Sequence, residues 1–328
     1  MFMLDIKALR VAFEKYRSAH AFTQAPAGLY EPAEYIMATP GKRLRPVLVL
    51  MGAALYGEHW QRSLPVAMAV EVFHNFSLVH DDIMDEAPLR RGKPAVHAKY
   101  GLNAGILSGD VMLIHAYRFL AAGGYEDAKV AQLFRIFNQV AIEVCEGQQY
   151  DVDFESRNDV TIPEYIRMIE LKTAALIGGS LEMGGVSGGA PAADLQQLRQ
   201  FGRNIGIAFQ LQDDILDAFG DSASVGKRVG GDIAQNKKTF LILEAMERAE
   251  GADYETLSTL MATTPANEDD KIQTVIGLLH QLGIPDWAEQ QKQHYQGTAF
   301  EALTALQAPE AGKAALRQLA EDLLNRQS

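Results

Sequence analysis

From Val66 to Ile83 the apolar residues recur at steps of three and four, through Ala69, Val70, Phe73, Phe76 and Val79, until the chain meets DDIMD at 81–85. That is the helical period, and a stripe of this length can be buried only by packing the helix against others. Period-two alternation is scarce, and the strand-like LVLM at 48–51 reads equally well as buried helix. The expected fold class is all-α. Turn chemistry punctuates the chain at Pro40-Gly41, at Gly123-Gly124, through GGVSGGAPAAD at 184–194, from Gly220 to Asp232, and at TTPANEDD, 263–270. None is a long linker and no fixed-period repeat appears, so a single domain over 1–328 is the simplest description, with a division near 184–194 as the alternative.

Asp81 and Asp85 stand at i and i+4, so both carboxylates leave one helix face a turn apart. A second cluster, DDILD at 213–217, repeats the spacing 132 residues later (213 minus 81), on a stripe running Gly206, Gln210, Asp213 and Asp217. Like charges on an apolar helix face repel, so such a face calls for a cation, and hard oxygen ligands select Mg²⁺ or Ca²⁺. Magnesium binds through one or two carboxylates plus substrate phosphates, which suits two separated acid pairs facing a diphosphate. A solvated acidic face would explain one such cluster, but it does not explain the same pattern twice, each time inside apolar helix and each time followed by basic residues.

Those basic residues stand out against a net charge of −12, which opposes attraction to nucleic acid and anionic lipid. They are GKRLRP at 41–46, RRGKP at 90–94, Lys172 with Thr173, and GKRVGGDIAQNKKT at 226–239. Arg forks and Lys point charges are the usual grips on phosphate oxygens. The single cysteine, Cys145, excludes an internal disulfide, reads as a small buried hydrophobe, and fits a reducing compartment, with cytoplasm the expected location. The first twenty residues mix charge into every turn and read as mature amphipathic helix. The longest apolar stretch, Val47 to Gly57, is too short to cross a bilayer.

Taken in order, GKRLRP, HNFSLVHDDIMDEAPLRRGKP, EGQQYD, LKT, FQLQDDILD and then GK and NKKT resemble the trans-isoprenyl diphosphate synthase (polyprenyl synthetase) family, from Gly41 to Thr239. The resemblance implies one helical bundle with a central substrate cavity, usually paired as a homodimer. It implies a prenyltransferase that joins an allylic diphosphate (dimethylallyl, geranyl or farnesyl) to isopentenyl diphosphate, head to tail with trans geometry. Lys42, Arg45, His74 and Arg91 would hold isopentenyl diphosphate. Asp81, Asp85 and Asp213 would ligate Mg²⁺, roughly three ions per site, with Asp82, Asp214 and Asp217 as further ligands or supporting groups. Arg90, Lys172, Thr173, Gln210, Lys227 and Lys237 would grip the allylic diphosphate. An extra residue between Lys227 and Lys237 leaves the choice between Lys237 and Lys238 open. Gln148 and Asp151 are secondary candidates, while His97 and His115 read as structural or surface residues.

In such a site the allylic carbon–oxygen bond ionises, and the double bond of isopentenyl diphosphate attacks the cation. Thr173 and Gln210 could offer it oxygen dipoles. Phe76 and Ser77, five and four residues before Asp81, lie about a turn below the metal, where the family sets the floor of its product channel. Bulky Phe76 implies early termination at a fifteen- or twenty-carbon product, with ordinary core packing as the competing explanation. A longer-chain synthase is the alternative function. A terpene cyclase would lack the Lys42, Arg45 and Arg91 pocket, and a phosphohydrolase using His80 and Asp81 would need further aligned His ligands. A non-catalytic subunit would show damaged acidic clusters, and both are intact.

Overall fold

The computed structural model describes residues 5–220, 229–263 and 267–325. The described residues form helices joined by short turns, with one two-residue hairpin, so the fold class is all-α. They divide into two compact units: residues up to 141 with 176–199 and 305–316, and residues 142–175 with 200–304 and 317 onward. No helix among the described residues is long and apolar enough to cross a membrane.

The first unit opens with α1 (Ile6–Ala19), capped by the Asp5 carboxylate on the Lys7 N–H at 2.9 Å. There follow α2 (Ala27–Ala38), α3 (Leu44–Ala54) and α4 (Leu64–Met84), the helix expected from the Val66 periodicity. Val66, Val70, Phe73 and Val79 are all within 1% of complete burial, each contributing about 2–3 kcal/mol in apolar transfer. Helix α5 (Val96–Tyr100) leads into α6 (Leu102–Ala121), which packs along α4. The Phe73 ring meets Phe137, from the first part of α7 (Asp127–Ser156), edge-on at 5.2 Å.

The glycine run at 184–194 departs from its expected role as a turn. Helix α9 (Ala175–Gly188) continues through it, and only Gly189 to Pro191 separate it from α10 (Ala192–Phe219). The reason is a close crossing with α3. A Cβ on Gly52 would stand 2.6 Å from the Leu181 carbonyl, and Cβ atoms on Gly184 and Gly188 would run into the carbonyls of Val49 and Ala53. These glycines serve backbone approach, which outweighs their low helix propensity. LVLM at 48–51 likewise lies within α3.

The hairpin β1 (Leu89–Arg90) and β2 (Lys93–Pro94) follows α4, with Arg90 opposite Lys93. Its two turn residues, Arg91 and Gly92, have φ of 54° and 73°, as a type I′ turn demands.

The second unit is built from the later parts of α7 and α10, from α8 (Ile162–Ile169), and from α11 (Gly231–Ala234), α12 (Phe240–Arg248), α13 (Gly251–Ala262), α14 (Glu268–Gln281) and α15 (Ile284–Ala305). The chain ends in α16 (Glu310–Leu324). Leu211, Phe240, Leu257, Val275 and Leu279 lie at the centre of the second unit's core. Helix α8 starts on a complete capping box between Thr161 and Glu164 and runs into a π-helical turn, Glu170–Ala174. Such turns concentrate at functional sites, and this one carries Lys172 and Thr173.

Candidate functional site

In the first unit the GKRLRP motif spans the turn between α2 and α3, and its two arginines part company. Arg43 adopts φ 50° at the N-cap of α3 and is buried. It donates to Glu14 at 2.7 Å, to Glu71 at 2.8 Å, and to the carbonyls of Met37 and Thr39 at 2.7 and 3.2 Å. Every arm of this side chain is spent on holding the loop.

Arg45 turns the other way. Its Nη1 lies 3.2 Å from His74 Nε2, and its Nε is buried with no hydrogen-bond partner among the described residues. Burial pulls the Arg45 guanidinium down to about 10, with Glu71 opposing and Arg91 adding to the fall. Burial also drives His74 well below its ordinary value, reinforced by Arg45, Arg91, Arg90 and Arg43. His74 is therefore a neutral imidazole that accepts from Arg45. Arg91 donates to the Pro40 carbonyl at 2.9 Å and lies across Gly41, where any Cβ would collide with it. Lys42, next to Gly41 in the chain, is exposed. Arg45 and Arg91, with Arg90 and Arg43 near enough to act on the same neutral histidine, amount to a socket for an anion.

The first acidic cluster ends α4. Asp81 is half-buried, Asp82 is buried, and Asp85 is exposed at the C-cap, its N–H bonded to the Asp81 carbonyl at 2.9 Å. The hairpin returns Arg90 onto the cluster, where it donates to Asp82 Oδ1 through Nε and Nη2 at 2.8 and 2.5 Å and to Asp81 Oδ2 at 3.1 Å. Further up the same helix, Phe76 stacks edge-on to His80 at 4.9 Å and tilts against Phe73 at 5.5 Å. The Ser77 hydroxyl donates to the His74 carbonyl at 2.8 Å.

The second unit gathers the rest. Lys172 donates to Asp151 at 2.5 Å, and Thr173 Oγ1 donates to Gln210 Oε1 at 3.3 Å. Gln210 Nε2 donates in turn to Asp214 Oδ1 at 3.2 Å, and the buried Tyr165 hydroxyl donates to Asp214 Oδ2 at 2.5 Å. Burial pushes the Asp214 carboxyl well above the usual range; the Tyr165 and Gln210 hydrogen bonds oppose this, while Asp232 and Asp213 add to it. Asp213 is half-buried on the adjoining position of α10. Asp217 accepts the backbone N–H groups of Asp232, at 3.0 Å, and of Gly231, and burial with the charge of Asp232 raises its carboxyl.

Lys238 donates to the carbonyls of Phe154 and Glu155 at 2.8 and 3.1 Å, near the C-terminus of α7. Lys237, by contrast, is largely exposed, with its ammonium 3.4 Å from Asp232. Lys227 lies outside the described residues.

Do these residues suit magnesium? Asp82 Oδ2 is buried without a hydrogen-bond partner among the described residues, and Asp217 and Asp232 lie close enough for the charge of one to raise the other's carboxyl. Both clusters offer hard oxygen, which fits the ion. No group of three or more acidic, His or Cys side chains among the described residues could cage a metal; Mg²⁺ completed by substrate phosphates needs none.

Several side chains of these networks, Glu14 among them, escaped the sequence reading. Glu71 had a usable signal, being a lone acid three residues before His74 in an apolar helix, and so did Asp232, an acid after paired glycines. Arg43 and Tyr165 had none. Cys145, expected to be buried, is exposed on α7, and His115 packs edge-on to Phe22 and Tyr30 at 5.1 and 5.8 Å.

Comparison with known proteins gives the family. Residues 26–279 match the polyprenyl synthetase family. A short chain isoprenyl diphosphate synthase of Methanothermobacter thermautotrophicus is 35% identical over 302 residues, covering 92% of this chain and 91% of the relative. A crystal structure of a geranylgeranyl pyrophosphate synthase superposes with a TM-score of 0.94 at 43% identity, covering 99% of both chains. The geranylgeranyl pyrophosphate synthase of Corynebacterium glutamicum, solved with isoprenyl diphosphate and magnesium, gives a TM-score of 0.87 at 26% identity and covers 99% of this chain and all of its own.

Proposed function

We propose that this chain, which belongs to the polyprenyl synthetase family, elongates an allylic diphosphate with isopentenyl diphosphate in a magnesium-dependent reaction that stops at fifteen or twenty carbons. The chain is a prenyltransferase of the short-chain type. We read it as working as one synthase domain. The observation that carries the choice of substrates is the socket of Arg45, Arg91 and neutral His74, with Lys42 close by in the chain. Its buried Arg45 Nε lacks a partner among the described residues, and a diphosphate oxygen supplies one. A cyclase acting on an allylic diphosphate alone has no use for this second anion site.

In this reading Asp81, Asp85 and Asp213 hold Mg²⁺, with Asp82, Asp214 and Asp217 supporting them. Held by these carboxylates, Mg²⁺ would supply neutralisation of the diphosphate charge. Arg90, Lys172 and Lys237, with Lys227, grip the allylic diphosphate and stabilise the charge that develops on it. Arg90 and Lys172 rest meanwhile on Asp82 and Asp151. Thr173 and Gln210 turn oxygen dipoles toward the allylic cation, and neither is a nucleophile that would trap it. Arg45, Arg91 and Lys42 fix isopentenyl diphosphate so that its double bond attacks as if within one molecule. Proton loss to the departing diphosphate completes the cycle.

Phe76 limits product length. We also read the chain as a cytoplasmic homodimer. Supporting a dimer, α6 exposes Leu107 and Ile114, one above the other on a single face, at 56% and 65%.

The test is incubation of the purified protein with labelled isopentenyl diphosphate and each allylic diphosphate, in magnesium or chelator, followed by sizing of the dephosphorylated products. Magnesium-dependent elongation is the expected result. Consumption of an allylic diphosphate without incorporation of isopentenyl diphosphate would replace this function with a cyclase or phosphatase.

A further inference from the structure

We infer that Tyr165 is a positioning residue that sets the direction of the Gln210 amide and the Thr173 hydroxyl, and thereby which of their atoms an allylic cation meets. The inference rests on the function proposed above. It concerns four residues of the second unit, linked in series from a buried end to an accessible one: Tyr165 and Asp214 are 5% and 4% exposed, while Gln210 and Thr173 are half-buried.

The series has a definite polarity. Asp214 accepts the Tyr165 hydroxyl on one oxygen at 2.5 Å and the Gln210 amide N–H on the other at 3.2 Å. With its nitrogen committed there, Gln210 must turn Oε1 toward Thr173, and the Thr173 hydroxyl donates to it at 3.3 Å. Thr173 has a single hydroxyl hydrogen, and this bond uses it. Toward any other neighbour Thr173 presents lone pairs, the side of the dipole that attracts positive charge.

Tyr165 is the member that touches neither proposed ligand nor metal. Its ring is stacked on Phe240 at 6.2 Å and 20°, which holds the hydroxyl in one place. Removing that hydroxyl leaves Asp214 Oδ2 buried and unsatisfied. The carboxylate then competes for both hydrogens of the Gln210 amide, or the amide inverts. In either case Thr173 loses its acceptor, and its hydrogen is free to face the cation.

The experiment compares Tyr165→Phe with the wild type for kcat, both KM values and thermal midpoint. The expected result is a fall in kcat of about ten- to a hundredfold with both KM values within about twofold, since only the cationic state is affected. Introduced into Thr173→Val, Tyr165→Phe is expected to cost less than about twofold more, because both changes act through one hydroxyl. Independent, multiplying losses would overturn the inference, as would an unchanged kcat. The side-chain amide signals of Gln210 in protein labelled with ¹⁵N-glutamine give a readout free of activity: they should shift on Tyr165→Phe. An unmoved signal overturns the inference, whereas a wild type that does not elongate condemns only the proposed function. If Tyr165→Phe does not fold, 4-aminophenylalanine, which keeps a donor, and 4-methylphenylalanine, which keeps the size, form the equivalent pair at this position.

Discussion

Arg90 closes its guanidinium fork on a single oxygen of Asp82, with Nε at 2.8 Å and Nη2 at 2.5 Å from Oδ1. The two residues face each other from the last turn of α4 and the first strand of the hairpin, so the pair fixes the loop that follows the acidic cluster. Asp82→Ala takes the nearer of two counter-ions from a guanidinium that is 26% exposed and leaves it Asp81, and the expected cost is about 3 kcal/mol, toward the lower end for breaking a buried pair. Asp85→Ala, at the exposed end of the cluster, should change stability by less than about 0.5 kcal/mol while greatly weakening magnesium-dependent turnover. Urea unfolding of both variants, alongside turnover against magnesium concentration, checks the contrast.

Gly147 on α7 packs directly on the π-helical turn: a Cβ there would overlap the backbone nitrogen of Lys172 and come within 2.7 Å of its Cα. Backbone cannot rotate aside as a side chain can, so Gly147→Ala should cost about 1–3 kcal/mol and push Lys172 out of place. Thermal unfolding measures the first effect. The second is expected as a raised KM for the allylic diphosphate with that for isopentenyl diphosphate unchanged.

Acid should destabilise the protein partly through His74. Its folded-state value lies well below the ordinary 6.5, so below pH 6.5 the unfolded chain binds a proton that the folded chain refuses. Stability from this group is complete above 6.5 and declines as pH falls from there toward the depressed folded value. His74→Gln, which does not titrate, should show a shallower loss of urea midpoint between pH 7 and 5.5 than the wild type. Parallel curves for the two proteins would contradict a neutral, half-buried His74.

Phe76→Ala opens space between Phe73 and His80 on α4 and is expected to lengthen the product beyond that of the wild type. Because Phe76 is half-buried, the stability cost should be roughly half of the 3–5 kcal/mol typical for a fully buried Phe. Chromatography of the dephosphorylated products decides, and an unchanged product distribution would leave Phe76 as core packing alone.

What the sequence made legible was what helical periodicity encodes. Asp81, Asp85, Asp213 and Gln210 stand out because a polar stripe on an apolar helix is conspicuous at steps of three and four. What it could not disclose was which partner each charge would find. Arg43 and Arg45 are two positions apart in one motif, yet Arg43 is claimed by Glu14 and Glu71, 29 and 28 residues away in sequence. Nothing local ranks the two arginines. Gly184 and Gly188 misled for a similar reason: local propensity reads glycine as a turn, and only the facing carbonyls of α3 reveal the crossing. Tyr165 was invisible because its role lies in a hydrogen bond to Asp214, 49 residues later.

Arg91 occupies a backbone conformation, φ 54°, that costs a side-chain-bearing residue about 1–2 kcal/mol relative to glycine. A glycine or asparagine there would make an easier turn and a mute one. The hairpin tip is thus a place where local ease and charge pull in opposite directions, and charge has prevailed. Screens for thermostability should drift toward Gly or Asn at this position, while screens for turnover should hold the arginine, so that the two selections separate at one codon.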